Sequence, residues 1–459
     1  MENNTHERLG SRLGFILLSA GCAIGIGNVW KFPYITGQNG GGIFVLIYLL
    51  FLIIMGIPVM SMEFSMGRAS QKSPVKMYHV LTPSKPLWQK HGYLALAGNV
   101  ILMMFYTSVT GWMLQYFFYM LIGKFDNVTT SAEVNSVFSS MLDSPSTLIL
   151  FMAGVVILGF VVCSFDIQKG LEKVTKYMML ALLGLIIVLV IHSLTLDGAG
   201  EGLKFYLMPS IDNIREQGIL KVIVAAMNQA FFTLSLGIGS MAIFGSFIDK
   251  KRTLLGESIN IACLDTFVAV MSGLIIFPAC FTYDITPDAG PNLIFVTLPT
   301  VFINMSGGRI WGSLFFLFMS FAALSTIFAV FQNIVSCLME LLGWEKKKVC
   351  LVAGVGMFLL SIPCVLGFNL WAGFEPLGAG TGVLDLEDYI VSNILLPLGA
   401  LIFVIYCTRK SGWGFENYQA EANQGVGVKV KNWMRFYLTY ILPLIIGVIL
   451  VYGIISPFI

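Results

Sequence analysis

The chain has 459 residues, 57% of them hydrophobic and 11% charged, with a mean hydropathy of +0.83. That excludes a soluble globular domain and predicts an all-α polytopic membrane protein. A net charge of +2 gives no footprint for nucleic acid, and eight cysteines scattered singly, without a CxxC pair, argue against a disulfide framework or a zinc site.

A helix needs about 20 apolar residues to cross roughly 30 Å of hydrocarbon. By that measure about eleven spans are predicted, at 13–37, 43–67, 92–122, 147–165, 170–193, 219–247, 255–283, 309–341, 349–368, 387–408 and 434–457. Span 1 contains "GCAIGIGNVWKFP", Gly21 to Pro33, poor material for a helix that must satisfy all its backbone polar groups internally. Span 2 carries Glu63, and span 7 carries Asp265. Span 6 contains "TLSLGIGSM", Thr233 to Met241, span 8 contains "FAALSTIFAVFQ", and span 10 opens near Asp388. Of the 27 Lys and Arg residues, only Lys124, Lys204, Arg215 and Arg309 fall in loops on the second side. This asymmetry predicts a cytoplasmic N-terminus and an outside C-terminus.

The "GIG" at 25–27 recurs at 237–239, five spans later. An odd separation places the two copies in oppositely oriented halves. Paired glycine breaks at corresponding places point to an inverted-repeat transporter with a midplane site. The competing reading is close helix packing through small residues. Charges within spans are rare and usually functional. Here Glu63, Asp265 and Asp388 accompany Asn28, Thr233, Ser235, Ser325 and Thr326 near the breaks. An oxygen-only set, with carbonyls freed by the breaks, suits a hard cation; in a cell-surface transporter that cation is sodium. The four histidines are dispersed and no acid pairs with a nucleophile, so no enzyme is expected.

"RLGFILLSAGCAIGIGNVWKFPYITGQNGGGIFVLIYLL", "GIPVMSMEFSMGR" and "NQAFFTLSLGIGSM" resemble the neurotransmitter:sodium symporter family, in its bacterial amino-acid transporter branch. The resemblance covers spans 1 to 10. It implies one transmembrane domain over 1–459, with a first repeat at 13–193, an inverted second repeat at 219–408 and an extra helix at 434–457. It implies a first sodium site at Ala23, Asn28, Thr233 and Asp265, and a second at Gly21, Ile24, Ala322, Ser325 and Thr326. The substrate would lie between them. Its carboxylate would meet the N–H groups of Gly25, Ile26 and Gly27 and the Tyr106 hydroxyl. Phe232, Ser235, Ile238 and Val330 would line an apolar pocket, with Ala23, Thr233 and Thr326 at its polar edge and Phe232 as lid.

Gly25 stands where amine-carrying relatives have an aspartate, so the substrate brings its own carboxylate and is an amino acid. The pocket implies a hydrophobic side chain, and Ile238, where relatives have a phenylalanine, leaves room for an aromatic one. Lys31 and Asp388 occupy the positions of the outer gate. Glu340 fits one half of an inner gate and Arg8 the other, although the usual arginine and tryptophan positions here hold His6 and Leu9. Glu63 would support the broken segments. Ala269 replaces the chloride-balancing residue of some relatives, and Asp265 would balance charge instead. The implied function is chloride-independent, sodium-coupled symport of a hydrophobic amino acid across the plasma membrane, without a cofactor. The alternative is a sodium-dependent amino-acid sensor that does not transport. The oligomeric state stays open.

Overall fold

The computed structural model describes residues 10–210, 218–283 and 292–455. Among these the chain is helical, with a single isolated β-bridge between Arg252 and Val426. Among the described residues, nine continuous helices are long and apolar enough to cross a membrane: Gly42–Ser70, Pro86–Leu121, Pro145–Ser164, Gly170–Ser193, Leu254–Thr282, Gly308–Leu342, Lys346–Leu366, Val383–Thr408 and Met434–Ile455. These are spans 2–5 and 7–11. Span 1 is a broken pair, Arg12–Ala23 and Gly27–Gln38, bent by 54°. Span 6 consists of two short helices, Ile219–Thr233 and Ser240–Phe247. The observed ends differ from the predicted ones by a few residues. Span 3 starts six residues before its expected start, at Pro86, because polar residues of its first turns extend the helix beyond the apolar run.

Span 8 occupies the centre, buried over 83% of its apolar window, whereas spans 5 and 11 are buried over only 33%. Among the described residues, five further helices are not evident from apolar run length: Pro74–Leu81, Ser131–Leu142, Ala199–Leu207, Leu293–Asn304 and Phe415–Ala422. Ser131–Leu142 begins with a capping box of Thr130 and Glu133. Leu293–Asn304 is apolar but too short to span. Its Phe295 packs against Trp112, Phe138 and Trp30 and accepts a hydrogen bond from the Tyr116 hydroxyl at 2.9 Å.

Two polar ties fix loops that are distant in sequence. Ser11 caps span 1 and donates to Glu172, while Arg12 pairs with Glu257 at 3.0 Å. At the end of span 2, Arg68 is fully buried. Its guanidinium donates to Glu421 Oε1 at 2.6 Å, to the Arg252 carbonyl at 2.8 Å and to the Glu421 carbonyl. The connections between spans 6 and 7 and between spans 10 and 11 are thereby clasped to the end of span 2.

Candidate functional site

Both helix breaks face the core. The α-helix of span 1 stops at Ala23, and Ile24 turns extended (φ −72°, ψ 102°), which removes its carbonyl from the helical ladder. The chain resumes with a wide turn over Gly27–Lys31. In span 6 the helix ends at Thr233, and Ser235 (φ 50°), Gly237 (φ 94°) and Gly239 (φ 70°) carry the chain through left-handed backbone. Glycine meets that demand without a Cβ penalty. At Gly237 there is also no space, since a Cβ would overlap the Leu396 carbonyl of span 10.

Freed polar groups are met by side chains. Ser325 Oγ lies 3.2 Å from the Ile24 carbonyl and 2.8 Å from that of Ala322. Thr326 Oγ1 lies 3.2 Å from the Gly21 carbonyl and 3.3 Å from that of Ile24. The five oxygens expected at the second sodium site therefore form one cluster. Oxygens about 2.3–2.6 Å from a shared hard cation, at right angles to one another, stand roughly 3.3–3.7 Å apart, and most of these edges are close to that.

The other expected set meets around Asp265, which is fully buried. Asn28 Nδ2 donates to Asp265 Oδ1 at 2.8 Å, and the Thr233 hydroxyl donates to its Oδ2 at 3.1 Å. Ala23 is buried and lines the central cavity. Glu63, also buried, accepts from the Gly237 N–H at 2.6 Å and so supports the break of span 6.

Between the two clusters lies a narrow cavity lined by Ala23, Gly27, Tyr106, Phe232, Ser235 and Thr326, together with Leu102 and Leu396. Its free space of about 10 Å³ holds little more than a water molecule. An amino acid entering it must move span 6 or span 10 away from span 1. Ile238 and Val330 are buried but do not line this cavity. Two of the three N–H groups expected to face a carboxylate are engaged within the protein. Gly25 donates to Asn28 Oδ1 at 3.1 Å and Ile26 to the Tyr106 hydroxyl at 2.9 Å. A carboxylate here would exchange with those partners.

At one end of the cavity Lys31 Nζ pairs with Asp388 at 2.9 Å, donates to Ser392 and lies 3.9 Å from the centre of the Phe232 ring. Cation, carboxylate and lid thus form one unit. At the other end a vestibule of about 860 Å³ opens among Ser73, Lys76, Phe247, Gln332 and Glu340. Glu340 accepts from Ser73 N–H and Oγ and sits 3.8 Å from Lys72. Its expected partner Arg8, with His6 and Leu9, lies outside the described residues, as does Arg215. Two further contributors had no role assigned from the sequence. Gln229 donates to the Gly27 carbonyl at 2.8 Å. Asn99 donates to the Ile238 carbonyl at 2.7 Å and accepts from Ser240. A buried amide within a long apolar span was the available signal for Asn99.

A model of the sodium:neurotransmitter symporter family matches residues 6–137 and 130–458. The sodium-dependent transporter YhdH of Bacillus subtilis is 34% identical over 404 residues, covering 87% of each chain. A sodium-dependent transporter of Haemophilus influenzae is 32% identical over 461 residues, covering 98% of each chain. The crystal structure of MhsT in complex with L-phenylalanine superposes with a TM-score of 0.87 at 34% identity, over 97% of this chain and 99% of that one.

Proposed function

The chain belongs to the sodium:neurotransmitter symporter family, and from that premise we propose that it couples sodium entry to the uptake of a hydrophobic amino acid by alternating access. The observation that carries this reading is that each broken segment meets buried oxygens of a continuous span: the span 8 hydroxyls at the Gly21 and Ile24 carbonyls, and Asp265 of span 7 at Asn28 and Thr233. Gly21, Ile24, Ala322, Ser325 and Thr326 supply one ion site. Ala23, Asn28, Thr233 and Asp265 supply the other. Carbonyl and hydroxyl ligands suit a hard, singly charged ion. The apolar walls, Leu102, Phe232 and Leu396, favour an apolar side chain, and the phenylalanine bound by MhsT supports an aromatic one. The positive loops face the cytoplasm of a plasma-membrane protein, so Lys31 and Asp388 close the outer side and the Glu340 vestibule opens inward. The repeats 13–193 and 219–408 put one broken helix at the start of each half.

Since ion and substrate share span 1, each tightens the other by the same factor, about 5–150-fold. Binding of labelled phenylalanine to purified protein should weaken by that factor when potassium replaces sodium; unchanged affinity would overturn the proposal. Counterflow in proteoliposomes separates a carrier from a sensor, which gives none. Charge balance at the first site rests with Asp265. Ala269, one turn further on the same buried helix, offers chloride no ligand. Uptake should therefore persist when gluconate replaces chloride. Arrest of uptake under those conditions would remove the charge-balancing role from Asp265.

A further inference from the structure

Away from the central site, an apolar groove of about 610 Å³ lies along spans 4 and 9. Val156, Ile157, Phe160, Leu351, Val355 and Phe358 form its walls. Gly354 leaves its floor open, because a Cβ there would only touch Phe160 at 3.4 Å. The groove runs from Ala153 to Ser164 along span 4, which is about 17 Å of helix. The walls are fixed from behind. Phe160 stacks on Phe331 of span 8 with centroids 4.1 Å apart, and Cys163 donates to the Phe328 carbonyl. Exposed apolar side chains alone mean little on a membrane helix. What distinguishes this groove is its mouth. Lys347 lines it, Lys346 Nζ reaches across to the Phe165 carbonyl at 2.8 Å, and Lys348 stands over Trp344. Among the described residues the acids flanking them in sequence are Glu345 and, next to Phe165, Asp166, against three lysines, so the mouth keeps a positive excess.

We propose that this groove binds one acyl chain of an anionic phospholipid, whose headgroup phosphate is held by the lysines at the start of span 9. An extended acyl chain, at about 1.25 Å per carbon, fills the roughly 17 Å of groove with about 14 of its carbons, and the cationic mouth selects an anionic headgroup over a zwitterionic one. The site is independent of the transport reading, since none of its residues touches the central cavity.

The test is native mass spectrometry of the delipidated full chain, titrated with phosphatidylglycerol and phosphatidylcholine of identical acyl composition. One phosphatidylglycerol should be retained, preferred over phosphatidylcholine by about fivefold per engaged lysine. Lys347→Gln, a surface change, should reduce that preference by about fivefold. Gly354→Phe, which fills the floor, should abolish retention of either lipid. Equal occupancy by the two lipids would overturn the proposal, as would undiminished phosphatidylglycerol binding in Gly354→Phe. A wild-type dimer that Gly354→Phe dissociates would assign the groove to a second copy of the chain and overturn it too.

Discussion

Gly25 leaves no room for a side chain. A Cβ there would overlap both the Tyr106 hydroxyl and Thr326 Oγ1. Gly25→Ala should therefore displace Tyr106 and weaken substrate binding by at least about tenfold, a difference of roughly 1.4 kcal/mol. Gly25→Asp adds a carboxylate beside the substrate's own, and like charges in a buried site repel, so binding should fall below detection. Equilibrium binding of labelled amino acid reads both, and retained affinity in the aspartate variant would place the substrate elsewhere. Ser325 and Thr326 bear on the ion. Their double alanine variant removes two oxygens with little change in volume. Hydrogen bonds to charged groups are worth about 1.5–3 kcal/mol each, which sets the scale for each lost ion contact. Sodium-dependent uptake should be lost while the protein still elutes as a folded particle; a normal sodium response would show that the pair only packs span 8 against span 1.

At the scale of the element, the break of span 6 is held from two sides. Glu63 accepts the Gly237 N–H, and span 10 presses its backbone onto the same glycine, with Gly399 against the Gly237 carbonyl. Gly237→Ala meets both a positive φ and the Leu396 carbonyl. It should shift span 10, which carries Asp388, and cost transport more than Glu63→Gln, which keeps size and one acceptor. A larger loss in Glu63→Gln would mean that its charge, not its hydrogen bond, holds the break. Much of this was legible in the sequence. The paired "GIG" motifs located both breaks, because glycine is favoured where backbone is left-handed or crowded. Asn28, Thr233, Asp265, Ser325 and Thr326 stood out as polar residues in apolar runs. The cavity walls did not. Leu102 and Leu396 are ordinary leucines in spans full of them, and only the approach of spans 3 and 10 to the break sets them apart. Ile238 and Val330, expected on the walls, are turned into the surrounding core. The short helix Leu293–Asn304 escaped notice because its apolar run is too brief to read as a span. The Arg12–Glu257 tie was hidden by a separation of 245 residues.

For the whole molecule, Arg68 is the point where the end of span 2, the loop between spans 6 and 7 and the connection between spans 10 and 11 meet. Removing one partner of a buried ion pair costs about 3–5 kcal/mol, since the remaining charge stays buried. Arg68→Ala should lower the thermal midpoint of the purified protein by several degrees, and Arg68→Lys should recover only part of it, because an ammonium cannot reach three acceptors in one plane. A midpoint unchanged in Arg68→Ala would mean that the loops hold together without the clasp. The separation between Arg68 and Glu421 is 353 residues. At synthesis rates of about 5–20 residues per second, roughly 20–70 s pass between the emergence of the arginine and that of its carboxylate. During that interval most of the spans have been made while the ends of the bundle on the Arg68 side lack their common anchor. Nascent chains arrested before residue 421 should accordingly be cut readily at the 249–253 loop by added protease, and chains extended past it should become resistant.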